Sequence, residues 1–129
     1  MEKKIIEPKE LWNTFPYGFS HGVLVEGKKI LFIAGQGGIA KDGKVVSDEF
    51  NIQCKVAFEA IASVLKEAGG SFKNIVYIQA FFTNIENLSS YTEISKQYFG
   101  NEFPAQVVIE VKRLALPEMK IEIQAIAVL

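Results

Sequence analysis

Apolar residues recur at helical spacing in two segments of the chain. From Asn51 to Ala68 they repeat every three or four positions, with most charged residues on the other side, which predicts an amphipathic helix. Ser47-Asp48-Glu49 offers capping groups before this helix, and Gly69-Gly70 can adopt the left-handed conformation after it. The same spacing predicts a second helix from Asn87 to Phe99, which stops at Gly100. The side chains predicted to face the core are Ile52, Val56, Ala60, Ile61, Val64, Leu65 and Ala68 in the first helix and Leu88, Tyr91, Ile94, Tyr98 and Phe99 in the second.

Two turn signals predict hairpins in the first part of the chain. Val23 to Val25 and Ile30 to Ala34 are β-rich runs on either side of Glu26-Gly27-Lys28-Lys29, so these two runs are expected to pair. Asp42-Gly43 indicates a second hairpin with a type I′ turn, in which both central residues have a positive φ. Gly35 to Gly38 lacks the Lys-Ser/Thr ending of a phosphate loop, so a tight irregular turn is expected there.

Three longer strands are predicted at Asn74 to Thr83, Ala105 to Lys112 and Lys120 to Val128. The order of strands and helices indicates an α+β domain in which two helices cover one face of a sheet. Both alternating sets of side chains along Ile75 to Phe82 are largely apolar, so the two helices cannot bury both. One set is Ile75, Tyr77 and Phe81, and the other is Val76, Ile78, Ala80 and Phe82. Because monomers rarely expose so large an apolar face, the pattern predicts self-association. The alternative cover is the loop from Phe15 to Val23.

Composition narrows the class of protein. The 129 residues fit one domain, 1–129, and the formal charge of −1 comes with scattered Lys and Arg residues, which argues against nucleic-acid binding. No apolar run approaches the ~20 residues that span a bilayer, and no signal-peptide pattern opens the chain, so a cytoplasmic protein without a membrane partner is expected. Cys54 and His21 are the only residues of their types, which excludes an intramolecular disulfide and a His/Cys metal cage. We expect no metal and no cofactor.

Few residues stand out as candidates for chemistry, since the familiar nucleophile, nucleotide and zinc motifs are absent. Cys54 is predicted to lie in or beside the core, and Asn84 and Asn87 are interpreted as turn and cap residues. His21 could bind a backbone group as readily as a ligand. Glu122 shares its strand face with apolar neighbours, so it is either a paired structural carboxylate or one with a raised pKa suited to proton transfer.

Several short motifs together resemble the Rid (reactive intermediate deaminase) proteins, also called the YjgF or L-PSP family. The resemblance spans nearly the whole chain, and its most specific parts are Pro-Ala before a strand and the terminal Glu-x-x-Ala-x-Ala strand. It implies a chorismate-mutase-like fold, with a mixed sheet backed by two helices and three subunits packing their sheets into a central β-barrel. The motifs are Phe19-Ser20-His21, Phe32-Ile33-Ala34-Gly35-Gln36, Phe50…Gln53, Glu67-Ala68-Gly69-Gly70, Tyr98-Phe99-Gly100, Phe103-Pro104-Ala105 and Ile121 to Ala127.

The resemblance also implies ligand sites between neighbouring subunits and hydrolysis of enamines and imines to 2-oxo acids and ammonia. In active family members an arginine after Pro-Ala grips the substrate carboxylate, and here that residue is Gln106. A neutral amide should bind a carboxylate roughly 2 kcal/mol less well. Glu122 matches the acidic residue that positions or activates water, and Gly35 matches the turn that lines the pocket. The family's tyrosine aligns with Phe19, or with Tyr17 if the loop is reshaped.

Three functions are compatible with these residues. The first is a Rid-type small-molecule hydrolase, an imine or enamine deaminase with altered specificity, in which Glu122 orients water and Gln106, Ser20 and Gly35 hold the substrate. His21 is a further candidate for substrate binding. The second is a non-catalytic ligand-binding or regulatory homotrimer. The third, a ribonuclease or translation inhibitor, has little support because the charge is balanced and there is one histidine.

Overall fold

The computed structural model describes residues 1–129 and confirms the predicted α+β class. The elements are β1 (Glu2–Ile6), β2 (Gly22–Glu26), β3 (Ile30–Gly37), α1 (Phe50–Glu67), β4 (Ile75–Phe82), α2 (Leu88–Phe99), β5 (Ala105–Glu110) and β6 (Ile121–Val128). Strands β3, β6, β4 and β5, in that order, form a mixed sheet in which β4 and β5 are parallel and the other neighbours are antiparallel. Strands β1 and β2 form a separate antiparallel ribbon.

The first predicted hairpin is wrong, although both of its strands exist. β2 pairs with β1, which the sequence pattern had not indicated, and β3 pairs with β6. The intervening turn is bound to the end of the chain, because the N–H groups of Lys28 and Lys29 both donate to the carbonyl of Leu129. These bonds direct the chain from the ribbon into the main sheet.

The two glycine-rich turns also differ from expectation. Asp42-Gly43 does close a short ribbon, with one bridge between Ile39 and Val45, but only Gly43 has a positive φ, of 85°, so the turn is not type I′. Gly35 to Gly37 belongs to β3, where a bulge lies between Ile33 and Gln36, rather than to an irregular turn. The bulge carries Gly35 past Glu122 of β6.

Both helices pack on one face of the sheet. The buried stripe of α1 differs in part from the predicted one, since Ile52 is 41% exposed while Ala57 and Phe58 are fully buried. Cys54 is also fully buried, in agreement with its predicted place in or beside the core. This burial raises the pKa of the Cys54 thiol to about 12, so the thiol stays protonated. In α2, Leu88 also lies outside the core, at 40% exposed. Neither helix has the length and apolar composition that a membrane-spanning helix needs.

The opposite face of the sheet, called here the open face, has no helix or loop over it. It presents Phe32, which is 74% exposed, together with Tyr77, Gln79, Phe81, Glu122, Gln124, Ile126, Val107 and Ile109. The loop from Phe15 to Val23 runs along the sheet edge instead, where Ser20 bridges to Ala105. Ile75 was expected to share a face with Tyr77 and Phe81, but it is buried because the pairing of β4 shifts before Tyr77. The open face is therefore available to another chain.

Candidate functional site

One group of predicted site residues lines a pocket at the edge of the sheet. Gln106, Tyr17 and Phe19 all contribute to this pocket, which has a volume of about 460 Å³. Tyr17 and Phe19 were both predicted to bind substrate, and the sequence left open which of them takes the place of the expected tyrosine; both line this pocket. We call it the edge pocket. Its remaining lining residues are Trp12, Leu88, Thr92, Val107 and Val108.

Gln106 enters the edge pocket because β5 is an edge strand packed beside α2. The register pairs Gln106 with the buried Ile78, so its side chain points to the helix-covered side of the sheet. There the hydroxyl of Tyr91, a fully buried residue of α2, donates to Gln106 Oε1. Burial raises the pKa of Tyr91 far above its ordinary value, which keeps the hydroxyl protonated and able to donate.

The other end of the Gln106 amide is available. Gln106 Nε2 has no hydrogen-bond partner within the chain, and no buried side-chain nitrogen or oxygen is left unpaired, so this nitrogen lies in accessible space. The edge pocket therefore contains a neutral N–H donor, Gln106 Nε2, and the hydrogen bond from the buried Tyr91 hydroxyl to Gln106 Oε1 fixes its orientation.

An aromatic cluster forms the outer wall of the edge pocket. The Trp12 ring packs edge-on against Tyr17, Phe19 and His21, with ring centroids 5.6 Å away in each case. His21 Nε2 lies 2.8 Å from the carbonyl oxygen of Trp12, which holds the backbone of this segment as well as its ring. The rings give the pocket an apolar wall open to solvent on one side.

Glu7 holds both ends of the segment from Thr14 to His21, which follows Trp12 and carries Tyr17 and Phe19. Its Oε1 accepts from the Thr14 hydroxyl at 2.8 Å and from the His21 backbone N–H at 2.6 Å. Burial acts to raise the pKa of Glu7, but these hydrogen bonds outweigh it and lower the pKa below the ordinary value of 4.5. An ionised Glu7 therefore stabilises the wall of the edge pocket.

The second group of predicted site residues lies on the open face. Glu122 projects from β6 on the side away from the helices, opposite Phe81 of β4. Gly35 lies directly against it, since a Cβ atom at position 35 would come within 2.6 Å of Glu122 Cδ. Glu122 has no ion pair, because the one salt bridge of the chain joins Lys3 and Glu102. Its carboxylate is not a paired structural group.

A single chain does not bring these two groups together. Gln106 pairs with Ile78, and Glu122 pairs with Phe81, three residues further along β4. Because side chains alternate between the two faces of a strand, Gln106 and Glu122 lie on opposite sides of the sheet. A small molecule bound by Gln106 cannot reach Glu122 of the same chain.

Comparison with known proteins identifies the family. The model of the family described as Endoribonuclease L-PSP matches residues 16–129. The chain belongs to this family, the Rid proteins. A 2-iminobutanoate/2-iminopropanoate deaminase of Homo sapiens is 35% identical over 112 residues, which are 85% of this chain and 79% of that protein.

Two further Rid relatives match over almost their whole length. A RutC family protein of Aquifex aeolicus is 35% identical over 127 residues, which are 96% of this chain and 98% of that protein. The crystal structure of a Rid family protein of unknown function from Yersinia pestis has a TM-score of 0.93 and 32% identity, and covers 100% of both chains. The expected Rid fold, a mixed sheet backed by two helices, is confirmed.

Two of the predicted site residues form hydrogen bonds within the chain and do not line the edge pocket. Ser20 is 4% exposed and donates its hydroxyl to the carbonyl of Phe103 at 2.5 Å. His21 lies behind Trp12 and does not line the edge pocket. No group of three His, Cys, Asp or Glu side chains is close enough to hold a metal ion.

Sequence reasoning missed several residues of the edge pocket and its support. Trp12 is the only tryptophan of the chain and lies in a segment without periodicity, so composition was the one available signal. Leu88 and Thr92 are four residues apart, which places them on one helical face, but Leu88 was assigned to the core. Tyr91 was correctly placed in the core, and nothing in the pattern pointed to its bond with Gln106.

Proposed function

We propose that this Rid protein is a hydrolase of imines or enamines whose substrates do not depend on a carboxylate. The observation that carries the proposal is the unpaired Glu122 carboxylate beside Gly35, on a sheet whose other side holds a neutral donor in an aromatic pocket. A carboxylate without a cation can hold and deprotonate water. The 35% identity to a human 2-iminobutanoate/2-iminopropanoate deaminase supports the reaction class.

The proposed active form is a homotrimer with its sites between subunits. Gln106 and Glu122 lie on opposite sides of one sheet, so one molecule can meet both residues only if they come from different chains. The open face supports this arrangement, since it exposes Phe32 and other apolar side chains that a second sheet would cover. In this arrangement the edge pocket of one subunit adjoins the Glu122 and Gly35 of its neighbour.

In the proposed reaction, Glu122 acts as a general base toward water. The water oxygen bonds to the carbon of the C=N group while one water proton passes to Glu122, and Glu122 then gives this proton to the nitrogen, which has gained the electron pair of the C=N π bond. In the resulting carbinolamine the C–N bond breaks as the hydroxyl proton passes through Glu122 to the leaving nitrogen. The products are ammonia and a carbonyl compound, and the Glu122 carboxylate is regenerated. Gln106 Nε2 and the aromatic wall would orient the substrate during these steps.

Gln106 is the reason for proposing an altered specificity. The family resemblance implies an arginine at this position, which binds a carboxylate through two charge-assisted hydrogen bonds. The Gln106 amide offers one uncharged donor to the pocket, because its oxygen is used by Tyr91. Substrates that bear a carboxylate should bind roughly 2 kcal/mol less well than they would to arginine.

A coupled assay tests the proposal. The protein is present while 2-iminobutyrate or a carboxyl-free imine is generated, and ammonia or carbonyl release is followed. We expect wild type to accelerate hydrolysis of the carboxyl-free imine more than that of 2-iminobutyrate, and Glu122→Gln to lose the acceleration. If neither imine reacts faster than in buffer, the hydrolase proposal fails for both classes, and a non-catalytic ligand-binding role becomes the better reading of the edge pocket.

A further inference from the structure

The pairing of Tyr91 with Gln106 is specific to an amide or carboxylate at position 106. The Tyr91 hydroxyl is fully buried, so it needs a hydrogen-bond acceptor within the protein. Glutamine supplies one through Oε1. Arginine carries only donors and would leave the phenol hydrogen without an acceptor. The buried phenol is thus matched to Gln106.

This bond also determines which end of the amide faces the ligand. With Oε1 held by Tyr91, Nε2 is the end left in accessible space. A free glutamine could rotate and present either an oxygen or an N–H group to a ligand. Gln106 presents only the donor, so a bound molecule must offer an acceptor at that point.

The surroundings of Gln106 carry no charge that could replace an arginine. The residues that line the edge pocket include no Asp, Glu, Lys, Arg or His. The ammonium group of Lys96, on the adjacent turn of α2, donates a hydrogen bond to the Pro16 carbonyl at 2.7 Å and so holds the loop that precedes Tyr17. The walls that remain are the rings of Trp12, Tyr17 and Phe19. These walls favour an uncharged ligand with a planar or apolar group.

We propose that the edge pocket selects an uncharged ligand with a carbonyl-type acceptor, and that Tyr91 is the positioning residue that makes Gln106 a donor toward it. This inference rests on the proposed function only for the location of the site. It names the ligand class by its hydrogen-bonding character, and it makes specificity depend on a residue that does not touch the ligand.

Three probes with the same ring test this selection: acetophenone is an uncharged acceptor, aniline an uncharged donor, and benzoate a charged acceptor. Each is titrated into the ¹⁵N-labelled 129-residue chain, and the side-chain NH₂ signal of Gln106 is followed by NMR. We expect acetophenone to bind more tightly than aniline or benzoate and to shift the Gln106 signal. Equal affinities for acetophenone and aniline, or tightest binding of benzoate, would overturn the inference.

Two variants separate positioning from simple structural support. In Tyr91→Phe the amide can rotate, so the preference for acetophenone over aniline should fall about fivefold while the fold is kept. Gln106→Glu can still accept from Tyr91 but presents an oxygen to the pocket, so it should reverse the preference toward aniline. Full retention of the wild-type preference by either folded variant contradicts the role of Tyr91.

These titrations measure binding without turnover, so they are independent of the imine assay. Selective binding of acetophenone with no imine hydrolysis would support the pocket inference and reject the hydrolase proposal. Hydrolysis of imines without a preference for uncharged acceptors would do the reverse. If Tyr91→Phe does not fold, the reversal expected of Gln106→Glu still tests the orientation of the amide.

Discussion

The carboxylate of Glu122 lies so close to Gly35 that no side chain fits between them, since a methyl group at position 35 would come within 2.6 Å of Glu122 Cδ. Gly35→Ala should therefore displace Glu122 rather than the strand, because the end of a side chain on the open face moves more easily than paired backbone. A displacement of about 1 Å can lower a rate on the order of 100-fold. We expect imine hydrolysis to fall by at least about tenfold while the midpoint of thermal unfolding changes little.

A double-mutant cycle with Glu122→Ala provides the control for this prediction. If Gly35→Ala acts by moving the carboxylate, it should have no further effect on the rate once the carboxylate is gone. An additive loss in the double variant would show that Gly35 acts by another route, such as the pairing of β3 with β6.

Replacing Gln106 by arginine should destabilise the fold as well as add a cation to the edge pocket. The substitution removes the acceptor of the buried Tyr91 hydroxyl, and a buried unpaired donor costs about 1–3 kcal/mol. We expect Gln106→Arg to lower the free energy of unfolding by this amount in urea denaturation. The double variant Tyr91→Phe/Gln106→Arg, which has no phenol to satisfy, should recover most of the loss.

The matched control is Gln106→Glu, which keeps an acceptor for Tyr91 and should be less destabilising than Gln106→Arg. If the double variant is no more stable than Gln106→Arg, the cost comes from the size or charge of arginine. If the double variant does recover its stability, it is also a better test than Gln106→Arg of whether a restored cation allows hydrolysis of 2-iminobutyrate.

Periodicity predicted the elements of this fold better than it predicted their pairing. The helices and the strand from Ile75 to Phe82 were found within one residue or so, because each is long and has its own pattern. The separation of β2 from β3 was missed, since the turn between them is held by bonds from Lys28 and Lys29 to Leu129. Such bonds join residues about 100 positions apart and leave no local signal.

The candidate site shows the same division. Strand alternation correctly placed Glu122 with Gln124 and Ile126, and the family resemblance singled out Gln106. The relation between Tyr91 and Gln106 could not be read from the sequence, because a tyrosine in an apolar helical stripe is as well explained by core packing as by a bond from its hydroxyl. Only the position of its oxygen distinguishes the two.

A charged residue in the middle of the open face should disrupt the proposed trimer. Phe32 is 74% exposed in the single chain, and burying an unpaired carboxylate in its place between two sheets would be strongly unfavourable. We expect light scattering after size exclusion to give wild type a mass three times that of the 14.4 kDa chain, and Phe32→Asp a lower mass.

Leu24→Asp is the control for this substitution, because Leu24 is 63% exposed but lies on β2, in the separate ribbon. It should leave the mass unchanged. A monomeric wild type at micromolar concentration would contradict the proposed arrangement of sites between subunits. Equal effects of Phe32→Asp and Leu24→Asp on the mass would show that the open face is not the interface.

The wall of the edge pocket should loosen in acid through Glu7. Because folding lowers the pKa of Glu7 below 4.5, its stabilising effect is fully present above that value and is lost as the pH falls through the lower pKa of the folded state. Acrylamide quenching of Trp12, the only tryptophan, measures this loss. We expect Glu7 to cause little change in quenching between about pH 7 and pH 5. Below about pH 4.5 its protonation should increase the quenching of Trp12.

The variant Glu7→Gln isolates this carboxylate from every other group that titrates near Trp12. Its amide oxygen can still accept from Thr14 and His21 but carries no charge, so both bonds are weaker at every pH. Quenching of Trp12 should therefore exceed that of wild type at neutral pH, and the two proteins should converge as the wild-type Glu7 becomes protonated. Parallel curves that never converge would mean that Glu7 does not control the wall of the pocket.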